Sequence, residues 1–314
     1  MAGKIATREA YGKALVKLGE QNKNIVVLDA DLSKSTKTAE FARVYPERFF
    51  NIGIAEQNLM GTAAGLSAAG KIPFASTFAI FAVGRAFEQI RNTIAYPRLN
   101  VKIAATHAGI TVGEDGASHQ TVEDISLMRS VPNMTVVVPC DAVETEGAVN
   151  AALEISGPVY LRLGRVAVPQ INKESYRFEI GKAVILREGN DVTLIGTGIM
   201  VNTCLEAAEI LQSKGIKAAV INMHTIKPID EDTIEKFARK TGAVITAEEH
   251  SIIGGLGSAV AEVLGERCPV PLKRIGIPDV FGESGKPEEL LKKYLLTAAD
   301  IIQAAQEVIE RKSK

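Results

Sequence analysis

Short apolar runs alternate with longer stretches of mixed polarity along this chain. The runs Ile25–Leu28, Val101–Thr106, Thr135–Val138, Val159–Leu163, Val192–Ile195, Ala218–Asn222, Ala243–Ala247 and Pro271–Ile275 are short and rich in β-branched residues, which predicts strands. Between many of them lie predicted helices: Thr7–Glu20, Ala55–Ala69, Phe81–Thr93, Ala142–Ile155, Met200–Lys214, Glu231–Thr241, Gly257–Leu264 and Pro287–Tyr294. A βαβα order with uniformly apolar strands implies parallel sheets covered by helices on both faces. The alternation breaks at Pro169–Glu188, which is polar, and resumes at Asp191-Val192-Thr193-Leu194-Ile195. The expected architecture is therefore α/β, with two consecutive doubly wound parallel-sheet domains, residues 1–180 and 181–314.

Composition narrows the function. Hydrophobic residues make up 46% of the 314 and charged ones 23%, the profile of a soluble globular protein. A formal charge of -1 offers no basic excess to neutralise phosphates, so no nucleic-acid partner is expected. No stretch approaches the roughly 20 uninterrupted apolar residues of a membrane helix. The first nine residues meet Lys4, Arg8 and Glu9 too early for a secretory signal. Cys140, Cys204 and Cys268 are scattered without CxxC spacing, which argues against a disulfide framework or a zinc site. A cytoplasmic location is the expectation.

Two glycine clusters follow strands in the second half. Gly196-Thr197-Gly198-Ile199-Met200-Val201 lacks the third glycine of a dinucleotide fingerprint. Gly254-Gly255-Leu256-Gly257-Ser258 opens a helix, where free N–H groups would suit an anion. A pair of tight strand-to-helix turns is the simpler reading of both.

Three segments of the first half carry more chemistry. In Asn51-Ile52-Gly53-Ile54-Ala55-Glu56-Gln57-Asn58, a short strand delivers a carboxylate to the first turn of a helix. That acid either does chemistry or complements the helix dipole, an effect of about 0.3–1 kcal/mol. The helix carries Gly61, Ala63, Ala64, Gly65, Ser67, Ala68 and Ala69, small enough for another subunit or domain to approach closely. Ala75-Ser76-Thr77-Phe78-Ala79-Ile80-Phe81 sets two rings three residues apart, as core or as a wall for a flat ligand. The richest segment is Ala105-Thr106-His107-Ala108-Gly109-Ile110-Thr111-Val112-Gly113-Glu114-Asp115-Gly116-Ala117-Ser118-His119-Gln120. It places two histidines and two acids on a glycine-rich loop after a strand, where parallel folds put ligands. Near pKa 6.5, histidine trades protons or donates to phosphate and hydroxyl oxygens.

In this order, Ile-Ala-Glu-Gln, Ser-Thr-Phe-x-x-Phe and Thr-His…Gly-Glu-Asp-Gly-x-x-His-Gln resemble the transketolase family over essentially the whole chain. The stretch Pro139-Cys140-Asp141-Ala142-Val143-Glu144-Thr145 is similar to the family's Pro-x-Asp-x-x-Glu-Thr turn. The resemblance implies a thiamine-diphosphate pyrimidine-binding fold followed by a transketolase C-terminal domain. It implies transfer of a two-carbon ketol unit between sugar phosphates.

Carried over by residue, Glu56 would meet a ring nitrogen of the cofactor's aminopyrimidine, with Phe78 and Phe81 packed around that ring and Asp31 nearby in a secondary role. The family often has a third aromatic one turn later, where this chain has Gly84. Asp115 would read a donor hydroxyl, and His119 would assist proton movement at the reacting carbons. His107, Arg8, Ser35 and Arg165 would hold the phosphate and nearby hydroxyls, because paired guanidiniums match a dianion.

The family also binds the diphosphate through a divalent metal, Mg2+ or Ca2+, with a Gly-Asp-Gly sequence that this chain lacks. The resemblance therefore implies one subunit of a split enzyme. An N-terminal partner would supply the diphosphate and metal site, in an expected α2β2 assembly. Alternatives are the β subunit of a 2-oxoacid dehydrogenase decarboxylase component, or a 1-deoxyxylulose-5-phosphate synthase-like fragment. The first has a different substrate-loop histidine pattern and no use for Arg8, Ser35 and Arg165. A non-catalytic scaffold would have no use for Glu56, Asp115 and His119 together.

Overall fold

A computed structural model describes residues 3–312. Seven strands form the first sheet, in the spatial order Thr225–Lys227, Thr135–Val137, Val159–Arg162, Lys102–Thr106, Ile72–Phe78, Ile25–Asp29 and Phe49–Asn51. All neighbours are parallel except the first pair, where Thr225–Lys227 runs antiparallel to Thr135–Val137.

Side chains alternate across the pleat. Ile25, Val27, Phe74, Ala104 and Leu161 pack on the helices Thr7–Gln21 and Ala142–Glu154. Val26, Leu28, Ala75, Ile103 and Ala105 face the helix Glu56–Ala68 on the other side. A sheet covered on both faces buries every residue of strands such as Ile25–Asp29, which is why Ile25–Leu28 reads as an unbroken apolar run.

The second sheet has five strands: Leu272–Ile277, Val244–Ser251, Val192–Gly196, Ala218–Asn222 and Val184–Arg187. They are parallel except for the antiparallel edge Val184–Arg187. The helices Met200–Ser213 and Ala298–Lys312 cover one face. On the other, Ile195, Ala219 and Ile221 pack with Phe237 and Val260 in the same apolar cluster as Leu28 and Ile103. The two sheets thus share a core, and Thr225–Lys227 from the second half completes the first sheet.

Four features differ from the sequence expectation. Each sheet ends in an antiparallel edge strand, so neither is purely parallel. The segment expected as one helix over Phe81–Thr93 forms two π-helical stretches, Phe81–Arg85 and Gln89–Ala95. Gly84 lies in the first, and a residue that gains least from a regular helix tolerates the wider turn. The polar break also contains the strand Val184–Arg187, whose side chains are half-buried or exposed. The helix Ala298–Lys312 was not anticipated. Among the described residues, no helix is long and apolar enough to cross a membrane.

Candidate functional site

The carboxyl ends of the first sheet's strands bring the motif residues together. Ile25–Asp29 leads to Asp31 and Ser35, and Phe49–Asn51 to Glu56. Ile72–Phe78 ends on Phe78, Lys102–Thr106 leads into the histidine loop, and Val159–Arg162 leads to Arg165. Arg8 arrives from the opening turn of Thr7–Gln21.

Asp29, buried at its strand end, accepts from Leu32 N at 2.6 Å, Thr36 Oγ1 at 2.7 Å and Thr38 Oγ1 at 2.9 Å, fixing the turn that carries Ser35. Asp31 adopts a left-handed φ of 63°, held by Asn51: its N donates to Asn51 Oδ1 at 3.0 Å, and its Oδ1 accepts from Asn51 Nδ2 at 2.9 Å.

Glu56 is the first residue of its helix, and its side chain is only 5% exposed. Oε1 accepts from Arg85 Nη1 at 3.0 Å, and the Arg85 guanidinium lies 4.0 Å from the centroid of Phe81. Beside it opens a cavity of about 450 Å³ lined by Ala55, Glu56, Gln57, Asn58 and Arg85. Phe78 and Phe81 stack at 5.7 Å with 14° between their planes. His107 stacks on Phe78 at 3.9 Å, and the edge of His119 meets Phe81 at 5.3 Å. Both sequence-predicted rings therefore face the histidines.

Arg8 and Arg165 are distant in sequence but held close by a two-residue antiparallel pair. Ile5 registers with Val168 and Ala6 with Ala167, and Gly164 N donates to Thr7 Oγ1 at 2.7 Å. Arg8 Nη1 donates to Ser35 O at 2.9 Å and lies 3.2 Å from His107 Nε2. Guanidinium only donates, so Nε2 is the acceptor and Nδ1 carries the proton, 2.9 Å from Thr106 Oγ1. Burial, then Arg8, Arg165 and His119, lower the His107 imidazole to about 3, so it is neutral near pH 7. Burial lowers the Arg8 guanidinium from its usual value; Glu9 opposes this and Arg165 adds to it. Arg8 Nε is buried without a hydrogen-bond partner. Two facing cations with an unused donor are poised to receive an anion. His107 also holds a left-handed φ of 56°, the kind of backbone strain that clusters at ligand sites.

The turn Ile110–Asp115 completes the rim. Arg165 Nη1 donates to Val112 O and lies 3.4 Å from Asp115 Oδ2. His119 Nδ1 lies 3.0 Å from Ser118 Oγ. Glu56, Phe78, Phe81, His107, His119, Arg8, Ser35, Arg165 and Asp115 thus lie along one edge of the sheet, with Asp31 at its flank.

Arg85, and Glu249, whose Oε1 accepts from Thr111 N at 2.7 Å, take part in this arrangement without a sequence signal that marks them; each looks like an ordinary charged residue until its tertiary contact is seen. The segment Gly254-Gly255-Leu256-Gly257 is not an anion site. Glu248, on the preceding strand, already accepts from Leu256 N at 2.7 Å and Gly257 N at 2.8 Å.

His250 is buried between the two sheets, accepting from Ser126 N at Nε2, 3.2 Å away, while Nδ1 lies 2.8 Å from Ser251 O. Burial holds it at about 4, as it holds His224. Unfolded histidine takes up a proton near pH 6.5 that the folded site refuses. The stability these groups contribute is therefore complete above pH 6.5 and lost as pH falls towards 4. Replacing His250→Gln is expected to make the fall in melting temperature across that interval shallower than in the parent. An unchanged slope would contradict this account.

Comparison with known proteins follows the same division of the chain. The family model described as transketolase, pyrimidine binding domain, matches residues 3–170, and that described as transketolase, C-terminal domain, matches 181–301. A Methanocaldococcus jannaschii protein named as a transketolase C-terminal section is 54% identical over 307 residues, covering 97% of this chain and 96% of that protein. A 6-deoxy-6-sulfo-D-fructose transketolase subunit from Clostridium sp. (strain MSTE9) is 47% identical over 306 residues, covering 98% and 95%. A solved structure described as a split gene transketolase, inactive β4 tetramer, superposes with a TM-score of 0.93 at 62% identity, covering 98% of this chain and 99% of that one.

Proposed function

This chain belongs to the transketolase family, and on that footing we propose that it is the C-terminal subunit of a thiamine-diphosphate-dependent enzyme that moves a two-carbon ketol unit from a ketose phosphate to an aldose phosphate. The observation that carries the reading is a buried carboxyl, Glu56, opening on a cavity and linked through Arg85 to the stacked rings Phe81 and Phe78.

The residues present fit the aminopyrimidine end of the cofactor: a flat aromatic wall for the ring and a carboxyl for its nitrogen. When bound, thiamine diphosphate supplies a nucleophilic thiazolium carbon and accepts the electron pair released as the ketose carbon–carbon bond breaks. Glu56 holds a proton at the ring nitrogen; Phe78 and Phe81 orient the ring and exclude water. Arg85 occupies Oε1, which leaves Oε2 for the ring nitrogen.

Arg8, Arg165 and neutral His107 receive the donor's phosphate, and Asp115 reads a hydroxyl. His119 moves a proton at the reacting hydroxyl through Nε2, its Nδ1 being turned to Ser118.

Among the described residues, no group of three or more His, Cys, Asp or Glu could hold a metal ion. We assign the diphosphate and its Mg2+ or Ca2+ to an N-terminal partner subunit, in an assembly with two copies of each chain. The thin helix Glu56–Ala68, with Gly61 and Gly65 open to approach, offers that partner a close face.

Mixing tests the reading. The chain alone is expected to show no ketol transfer from xylulose 5-phosphate, and adding a purified diphosphate-binding partner is expected to restore it. Robust transfer by the lone chain would remove the split-subunit reading. The same donor also separates this function from decarboxylation of a 2-oxoacid.

A further inference from the structure

One side chain from the second half reaches into the loop that shapes the cradle. Glu249, on the strand Val244–Ser251, is buried, and its Oε1 accepts from Thr111 N at 2.7 Å. Thr111 is the second residue of the turn Ile110–Asp115. That turn presents Val112 O and the Asp115 carboxylate to the same Arg165 guanidinium. A shift at Thr111 therefore reaches both a cradle cation and the hydroxyl-reading acid.

The seat is closely built on both sides. Gly109, at φ 82°, lies flat against the Glu249 carboxyl, and a Cβ there would collide with it. Only glycine combines that backbone conformation with so close an approach. Behind Glu249, Arg162 Nη2 donates to its backbone oxygen at 2.9 Å while Arg162 Nε donates to Asp124 Oδ2 at 2.8 Å. The Glu249 backbone is thus held by a first-half residue while its carboxyl grips the first-half turn.

We propose that Glu249 is a positioning residue: its carboxylate clamps the Thr111 amide so that Arg165 and Asp115 stand ready for the phosphorylated donor. This is the second domain's contribution to the reaction. The proposal rests on the sugar-phosphate reading of the cradle. The clamp itself is a hydrogen bond that can be measured apart from turnover.

The test uses the reconstituted two-subunit enzyme with Glu249→Ala and Glu249→Gln. Glutamine keeps the size and one acceptor oxygen, so it separates loss of the bond from loss of the fold. Glu249→Ala is expected to raise the KM for the ketose phosphate about tenfold while kcat stays within about twofold, the signature of a lost binding contact. Glu249→Gln is expected to restore most of that loss. In parallel, hydrogen exchange at the Thr111 amide should quicken at least tenfold in Glu249→Ala and stay slow in Glu249→Gln. Unchanged KM in Glu249→Ala, a fall in kcat alone, or a Gln variant no better than Ala would each overturn the proposal. If the wild-type pair transfers no ketol unit at all, the sugar-phosphate reading fails. Unchanged Thr111 exchange in Glu249→Ala would overturn the clamp whether or not the pair is active.

Discussion

Glu56→Gln in the assembled enzyme is expected to lower ketol-transfer turnover by about a thousandfold, within the 10²–10⁴ that a positioned acid or base contributes. Glutamine matches glutamate in size and can still accept from Arg85, so the first turn of Glu56–Ala68 keeps its shape. What it cannot do is hold an exchangeable proton between carboxyl oxygen and ring nitrogen. The fold should survive, because Glu56 is the first residue of its helix and its partner Arg85 is half-exposed. Steady-state turnover together with a melting curve checks this. Near-normal turnover would strip Glu56 of its role, and collapse of the melting transition would make the loss structural.

The second large effect is expected at the cradle. Arg8→Ala should lower kcat/KM for a phosphorylated ketose by about a hundredfold, since a charge-assisted hydrogen bond is worth about 1.5–3 kcal/mol and the phosphate would accept more than one. The corresponding unphosphorylated ketose should be nearly unaffected. Arg8→Lys should recover only part of the loss, because a point charge does not reproduce the planar fork. Equal losses with both donors would show that Arg8 acts through the fold and not through phosphate. Arg8 donates to Ser35 O and sits against His107, so a structural contribution is the natural competing outcome.

Much of this site could be read from local strings of residues. Phe78 and Phe81 stand three apart at a strand end, and His107, Asp115 and His119 share one loop, so their proximity follows from chain connectivity. The meeting of Arg8 with Arg165 does not. It depends on a two-residue antiparallel pair between segments more than 150 residues apart, and only family resemblance suggested it. Arg85 and Glu249 gave no signal because their roles arise from tertiary contacts with Glu56 and Thr111.

The fold followed the same logic. Wholly buried strands such as Ile25–Asp29 are legible from apolar runs such as Ile25–Leu28. The central strand Ile72–Phe78 was only partly visible, since Pro73 at its second position argues against an inner strand. Thr225–Lys227 is too short for any period to mark it. The single helix expected over Phe81–Thr93 divides into two π-helical stretches, the first holding Gly84, a poor helix former.

The strand Thr225–Lys227 has a practical corollary for anyone who would dissect the chain. Cutting after the first family domain would strip Thr135–Val137 of its outer neighbour and leave a row of unpaired amides and carbonyls at a sheet margin. The same cut would bare Leu28's cluster where Ile221 and Phe237 now seal it. Such a fragment would be adhesive, and the two halves are best handled as one piece.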